Sequence, residues 1–292
     1  MGKHLVSFFT LIRINQWIKN AFVFLPIFFD QKFTSLPTLL DGCVAFLSFS
    51  LIASSIYCFN DYVDVDFDKN HPEKKARPIA SGAVKKKQAI IYMLLLLFCG
   101  LLVAYLLNTI TLSYILLIYF GLNILYTLVL KKIIVVDVIT IASSFVLRIV
   151  AGGVAASIVL SYWIVIMVFL LALFLALAKR RDEVLIFNEK GTKVRSNIEK
   201  YSLPLINTIL IVIVIIITGA YILYTLSPSI IAQFESKYIY ITSIFVILGF
   251  YRYYKLIQQR VSYANPTKIL LSDLKMQLIV IGWLVCFYVL IY

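Results

Sequence analysis

The chain has 292 residues, 62% of them hydrophobic and 14% charged, with a formal net charge of +13. That composition lies outside the soluble globular range and inside the membrane class, which excludes a water-soluble enzyme. No nucleic-acid partner is expected.

In chain order, His4 to Ile12 is apolar but short, and Arg13 and Asn15 interrupt it. It reads as an interfacial helix leading into the membrane; no small-residue cleavage site follows it, as a signal peptide would require. Nine apolar stretches then follow, each long enough to cross a hydrocarbon core as a helix, at roughly 17–33, 38–58, 88–107, 111–130, 134–153, 160–178, 203–226, 237–254 and 274–292. No Pro/Gly/Ser-rich linker separates them. The expected architecture is an all-α polytopic bundle of nine transmembrane helices, one domain over 1–292, with polar loops at about 59–87 and 179–202. With nine spans, the N-terminus and the loops after spans two, four, six and eight share one face. That face holds 24 of the 27 Lys and Arg residues; Lys32 and Lys237 lie opposite, and Arg148 falls inside span five. Cations mark the cytoplasmic side, so the sequence predicts a multi-pass protein of the cytoplasmic (inner) membrane with its N-terminus and polar loops inside.

Span one opens on "NQWIKN", which puts Lys19 and Asn20 at its cytoplasmic start. Span two runs into "CFNDYVDVDFDKNHPEKKARPIASG", residues 58–82, where five carboxylates, one histidine and four cations crowd together. On a helix turning about 100° per residue from Asp61, Asp64 lies about 60° away, Asp68 about 20° and Asp66 about 140°. Asn60, Asp61, Asp64 and Asp68 therefore share a face that Asp66 does not. Three carboxylates on one face repel unless a cation neutralises them, and Mg²⁺ uses one or two carboxylates together with substrate phosphates. The plainer reading is a solvated acidic loop. Its weakness is position, because ionisable groups at a membrane mouth are costly and usually functional. Downstream, Lys74, Lys75, Arg77, Ser81 and Gly82 offer donors suited to phosphate oxygens.

Span five, "VVDVITIASSFVLRIVAGG", carries Asp137 and Arg148, where an unpaired charge is expensive. Arg148 is either structural glue or part of the site. Span six ends in "LAKRRDEVLIFNEKGTKVRSNIEKYS", with Lys179, Arg180, Arg181, Asp182, Glu183, Arg195 and Tyr201. Its plain reading is a cytoplasmic anchor of positive charge. The four cysteines lie in or at the ends of apolar spans without metal-ligand spacing, and His4 and His71 are far apart, so no zinc site is expected.

"NDYVDVDFD" resembles the NDxxDxxxD signature of the UbiA superfamily of intramembrane prenyltransferases, matched at Asn60, Asp61, Asp64 and Asp68. Within it, "QWIKNAFVFLPIFF", "NDYVDVDFDKNHPEKKARPIASG", "VDVITIASSFVLRIVAGGVAA" and "LALFLALAKRRDE" are most similar to the branch that transfers phosphoribose to a polyprenyl phosphate. The resemblance extends from Gln16 to about Tyr201. It implies a nine-helix bundle whose polar loops after spans two and six cap a central cavity. It also implies transfer of 5-phosphoribose from phosphoribosyl diphosphate to a polyprenyl phosphate, with release of diphosphate. By the same resemblance Asp61, Asp64 and Asp68 hold Mg²⁺ on the departing diphosphate and Asn60 steers those ligands. Lys19, Asn20, Lys75, Arg77, Arg148, Lys179, Arg195 and Tyr201 then contact substrate, and Glu183 orients it.

One departure bears on the branch. Typical members place a second acidic motif after span six, whereas this chain reads "KRRDE", cations first. Lys and Arg there suit direct contacts to several phosphates. The implied partners are phosphoribosyl diphosphate, polyprenyl phosphate and the lipid bilayer; a homo-oligomer is left open. The rival readings are a prenyltransferase taking a polyprenyl diphosphate and an aromatic or quinone-precursor acceptor, an anion transporter, and a lipid-binding or scaffolding membrane protein without catalysis. Transporters place polar sites near the bilayer midplane in broken helices, whereas these charges cluster at span ends.

Overall fold

The computed structural model describes residues 2–69, 74–107, 110–191, 198–258, 269 and 272–292. Among them there is no strand. A helix satisfies its backbone polar groups within one segment, as a hydrocarbon environment demands. Among the described residues, seven helices are long and apolar enough to cross a membrane, and a bent pair, taken as one span, brings the count to eight. The chain forms two compact units, Met1–Ser161 and Tyr162–Tyr292.

The first unit opens with α1 (Gly2–Ile12) and a 3-10 run over Ile14–Phe24 that continues into the short α2 (Leu25–Phe29). The first span expected at 17–33 thus falls on a 3-10 run and a short helix, and not on one long α-helix. Runs of 3-10 helix this long are uncommon and mark places where packing or function overrides the α-helix. Then come α3 (Leu36–Val63), α4 (Val65–Lys69), α5 (Lys86–Tyr105), α6 (Ile110–Leu128) and α7 (Val136–Ala155). In α3 and α7, 56% of the most apolar window is buried, against 22% in α5, so α3 and α7 form the inner helices of this unit.

The sequence of α3 explains its place. Gly42, Ala45, Ser48, Ser50, Ala53, Ser54 and Ser55 are small and buried, which lets neighbouring helices approach closely where lipid removes any hydrophobic reason to associate. Around them Phe49, Ile52 and Ile56 pack with Leu112, Ile115, Leu116 and Tyr119 of α6 and Ala151 and Ala155 of α7. Leu94, Leu95, Phe98 and Leu102 of α5 point outward, as on a lipid-facing helix. Helix α7 and the 3-10 run approach each other closely. A Cβ on Gly152 would lie 1.9 Å from the Val23 carbonyl oxygen, so only glycine fits there. A second apolar cluster (Leu11, Ile12, Cys58, Val65, Ile79, Val84, Ala89, Leu96) lies under the acidic stretch and ties α1 and the 74–85 segment to the end of α3.

The second unit consists of α8 (Tyr162–Lys190), α9 (Leu203–Leu226), α10 (Pro228–Phe234), α11 (Ser243–Gln258) and α12 (Leu274–Ile291). Helix α8 packs along α9, and α11 along α12. Between α10 and the helical segment Ile239–Gln258 the chain bends by 101°. Some polar side chains on these apolar helices pair internally: Trp283 Nε1 donates to Tyr221 Oη (2.8 Å), which is also hydrogen-bonded to Thr242 Oγ1 (2.8 Å). Asp273 caps α12 by accepting from the Met276 amide (2.8 Å), and Arg252 of α11 holds the same carboxylate.

Candidate active site

Helix α3 stops at Val63, and Asp64 takes a near-bridge conformation (φ −89°, ψ 6°) before α4 resumes the helical path. The Asp64 amide still donates to the Asn60 carbonyl (2.9 Å) and the Asp68 amide to the Asp64 carbonyl (2.8 Å), so the helical spacing of the acids survives the break. Asp61 and Asp68 are each 1% exposed and Asp64 is half-buried. Asp66, by contrast, has a side chain 82% exposed and reaches Lys69 at 3.7 Å. The wheel separates the four acids as the structure does.

Three cations neutralise the shared face. Arg13 is ion-paired with Asp61 Oδ1. Arg77 Nη1 bridges Asp61 Oδ1 (3.1 Å) and Asp68 Oδ2 (2.7 Å). Lys131, in the short turn after α6, lies 2.5 Å from Asp64 Oδ1. The Asn60 side chain is hydrogen-bonded to the Thr127 hydroxyl near the end of α6. Arg77 is delivered by a tight segment: Ser81 N bonds the Arg77 carbonyl (2.9 Å), Val84 N the Pro78 carbonyl (2.9 Å), and Gly82 supplies a positive φ of 81°. Ile79 and Val84 anchor that segment in the core.

Arg77 is expected from sequence to bind phosphate; its guanidinium instead holds two carboxylates. The reason is proximity: Arg77 lies nine positions after Asp68, and Ile79 and Val84 anchor the turn that follows it against Cys58 and Val65, beneath the acids. Arg13 and Lys131 are missed by the sequence reading, which registers Arg13 only as an interruption and Lys131 only as a topology signal. Arg13 sits with φ 52° at the junction of α1 and the 3-10 run, and its guanidinium lies 4.8 Å from the Tyr57 ring centroid.

Two carboxylate oxygens, Asp61 Oδ2 and Asp68 Oδ1, are buried and find no hydrogen-bond partner among the described residues. Buried acceptors in a settled protein are nearly always paired, so this pair fits oxygen ligands for a cation. Among the described residues, no three His, Cys, Asp or Glu side chains converge closely enough to hold a metal by themselves. The residues fit Mg²⁺ as a part-site, two carboxylates to be completed by substrate oxygens and water.

Arg148 and Asn20, expected to contact substrate, lie in a different, buried network. Arg148 is 4% exposed and donates through Nε to Asn20 Oδ1 (2.9 Å), through Nη1 to the Ser144 carbonyl (2.6 Å) and through Nη2 to Tyr119 Oη (3.1 Å). The rings of Phe49, Tyr119 and Phe145 surround it at 5.0, 5.2 and 4.8 Å. Asn20 Nδ2 in turn donates to Ser50 Oγ (2.9 Å). All these partners are neutral. They clasp α7 to the 3-10 run, beside the Gly152 contact. Lys19 is half-buried on the same 3-10 run, and Lys75 is exposed on a short turn, Lys74–Ala76.

In the second unit α8 continues to Lys190, so the polar segment expected at 179–202 begins as helix. Lys179 is exposed, but Arg180 and Arg181 are buried. Arg180 is ion-paired with Glu183. Arg181 donates to Asn207 Oδ1 (2.7 Å) and to the Ile257 carbonyl (3.0 Å) at the end of α11, where terminal carbonyls lack helical partners. Direct phosphate contacts, expected of both arginines, give way to internal pairing. Tyr201 is half-buried after the turn Ile198–Lys200, and Arg195 lies outside the described residues.

Residues 24–279 match the model of the UbiA prenyltransferase family. A decaprenyl-phosphate phosphoribosyltransferase of Corynebacterium glutamicum is 29% identical over 289 residues, covering 96% of this chain and 85% of that protein. One of Mycolicibacterium smegmatis is 35% identical over 205 residues, covering 68% of this chain and 64% of that protein. A 4-hydroxybenzoate octaprenyltransferase of Blochmanniella floridana is 29% identical over 133 residues, 43% of this chain and 45% of that protein. Among solved structures, a UbiA homolog from Archaeoglobus fulgidus bound to GPP and Mg²⁺ superposes with a TM-score of 0.71 at 18% identity, covering 98% of this chain and 99% of that one.

Proposed function

Because this chain belongs to the UbiA prenyltransferase family, with its multi-span helical fold, we propose that it transfers 5-phosphoribose from phosphoribosyl diphosphate to a polyprenyl phosphate. The observation that carries this reading is the likeness to the corynebacterial phosphoribosyltransferase, which extends over 96% of the chain. The likeness to a 4-hydroxybenzoate prenyltransferase covers less than half of it.

In the proposed reaction an oxygen of the lipid phosphate forms a bond to the anomeric carbon of the ribose. The bond from that carbon to the diphosphate breaks, and diphosphate leaves. The lipid phosphate arrives already anionic, so no strong base is required, and positioning supplies much of the acceleration. Asp61 and Asp68 offer their unpartnered oxygens to Mg²⁺, and Asp64 and Asn60 complete the face. The metal, when bound, stabilises negative charge on the leaving diphosphate. Lys19, Lys75, Lys179 and Arg195 are assigned to the substrate phosphates, Tyr201 to a hydrogen bond with phosphate or ribose, and Glu183 to orientation. The membrane is the cytoplasmic one, with both polar segments on the cytoplasmic side, where a water-soluble sugar diphosphate is met.

The test is turnover by purified protein. Diphosphate release should need phosphoribosyl diphosphate, polyprenyl phosphate and Mg²⁺ together, and a phosphoribosylated lipid should accumulate. A preparation that instead prenylates 4-hydroxybenzoate from a polyprenyl diphosphate, and ignores the sugar donor, would refute the substrate assignment.

A further inference from the structure

We propose that the acidic face at the end of α3 is charge-neutral before substrate arrives, so that the divalent cation enters together with the donor's diphosphate and not ahead of it. This rests on the reading of that face as a metal–diphosphate site. It concerns the order in which the site fills, and it assigns that order to Arg13, Arg77 and Lys131.

The charge balance is read directly from the side chains. Asp61, Asp64 and Asp68 supply three carboxylates, and Arg13, Arg77 and Lys131 supply three cations in contact with them. Two of the three are arginines, which stay protonated at any working pH. They are also held in place. The Arg77 guanidinium bridges two carboxylates, and the Arg13 guanidinium lies against Tyr57 from a backbone with φ 52°. Bulky side chains adopt that backbone only where surrounding structure fixes it.

Affinity for a hard cation follows the charge of its ligands and the number of oxygens presented. Here two oxygens are unpartnered, and the carboxylates that bear them are already offset by guanidinium groups on their other oxygens. Such a face orients two ligands without supplying the net negative charge that would retain a free metal. A diphosphate supplies that charge and the missing oxygens at once. Arg13, Arg77 and Lys131 therefore act as positioning residues: they aim the carboxylates and set the metal's dependence on the anion.

The experiment measures protein-bound Mn²⁺ by equilibrium dialysis on the full chain in lipid nanodiscs, with and without inorganic pyrophosphate. Wild type should bind Mn²⁺ weakly alone and more tightly with pyrophosphate. Arg13→Gln should tighten binding of Mn²⁺ alone by about tenfold or more, as expected for removing a unit charge a few ångströms from a divalent cation. Arg13→Lys, which keeps the charge, should stay near wild type. Lys131→Gln supplies an independent variant and should shift binding in the same direction as Arg13→Gln. The proposal is overturned if wild type holds Mn²⁺ as tightly alone as with pyrophosphate, or if neither neutral variant gains affinity for the metal alone. Phosphoribosyl transfer on the same samples keeps the two readings apart. Transfer without metal–pyrophosphate coupling overturns the charge balance alone; coupling without transfer supports it and overturns the donor assignment.

Discussion

Replacing Arg77 by methionine tests whether this residue binds substrate or holds the site together. In the structure its Nη1 lies 2.7 Å from Asp68 Oδ2 and 3.1 Å from Asp61 Oδ1. Asp61 would keep Arg13, but Asp68, with a side chain only 2% exposed, would lose its described ion-pair partner. Breaking a buried pair costs roughly 3–5 kcal/mol. The Arg77 side chain is 27% exposed, so water can relieve part of that cost. The low end, about 3 kcal/mol, is the expected loss. For a chain of this length the loss corresponds to a melting temperature lower by about 5 °C. Thermal unfolding in detergent, without metal or substrate, reads it directly. Adding Asp68→Asn to Arg77→Met should recover most of the stability, because a neutral amide needs no counter-ion. A residue that serves only to bind phosphate would give a different result. If Arg77→Met is as stable as wild type without ligands, and loses only donor affinity, the clamp reasoning is wrong.

Two further outcomes follow from the same geometry. Asp61→Asn and Asp68→Asn should each lower Mg²⁺-dependent turnover by about a hundredfold or more, as expected when a ligand of a metal that stabilises leaving-group charge is lost. Asp66→Asn should stay within a factor of about two, because an exposed surface substitution rarely matters; a rate series in which Asp66→Asn is as damaging would refute the shared face. A cysteine placed at the exposed Lys86 should resist an impermeant thiol reagent outside intact cells and react in inverted vesicles, and labelling from outside would overturn the orientation.

Much of this site is legible in the sequence because it is local. Asn60, Asp61, Asp64 and Asp68 lie within nine positions, and helical spacing alone separates them from Asp66. What the sequence does not disclose is how the charges are paired. Arg13 reaches Asp61 across 48 positions and Lys131 reaches Asp64 across 67, and no periodicity reports contacts at that distance. Arg148 shows a different limit. A lone arginine in an apolar span signals a special environment, but only packing reveals three aromatic rings and neutral acceptors in place of a carboxylate. The 3-10 run over Ile14–Phe24 is hidden for a related reason. The sequence places most of it in a first span, while the backbone is held by tertiary contacts such as Gly152 against Val23 and Trp17 Nε1 donating to Ser54 Oγ (3.0 Å).

The second unit narrows what its cationic segment can do. Counted in sequence, "KRR" offers three positive charges. Adjacent positions on a helix point about 100° apart, so the three cannot all face one ligand. Arg180 and Arg181 turn inward to Glu183, Asn207 and the end of α11, and Lys179 is the member of the trio that stays exposed. The run therefore offers fewer outward-facing phosphate donors than its three charges suggest. Neutralising Lys179 should accordingly weaken phosphoribosyl diphosphate binding while leaving thermal stability near wild type. Neutralising Arg181 should do the reverse, because its donors anchor α8 to Asn207 and to the closing turn of α11.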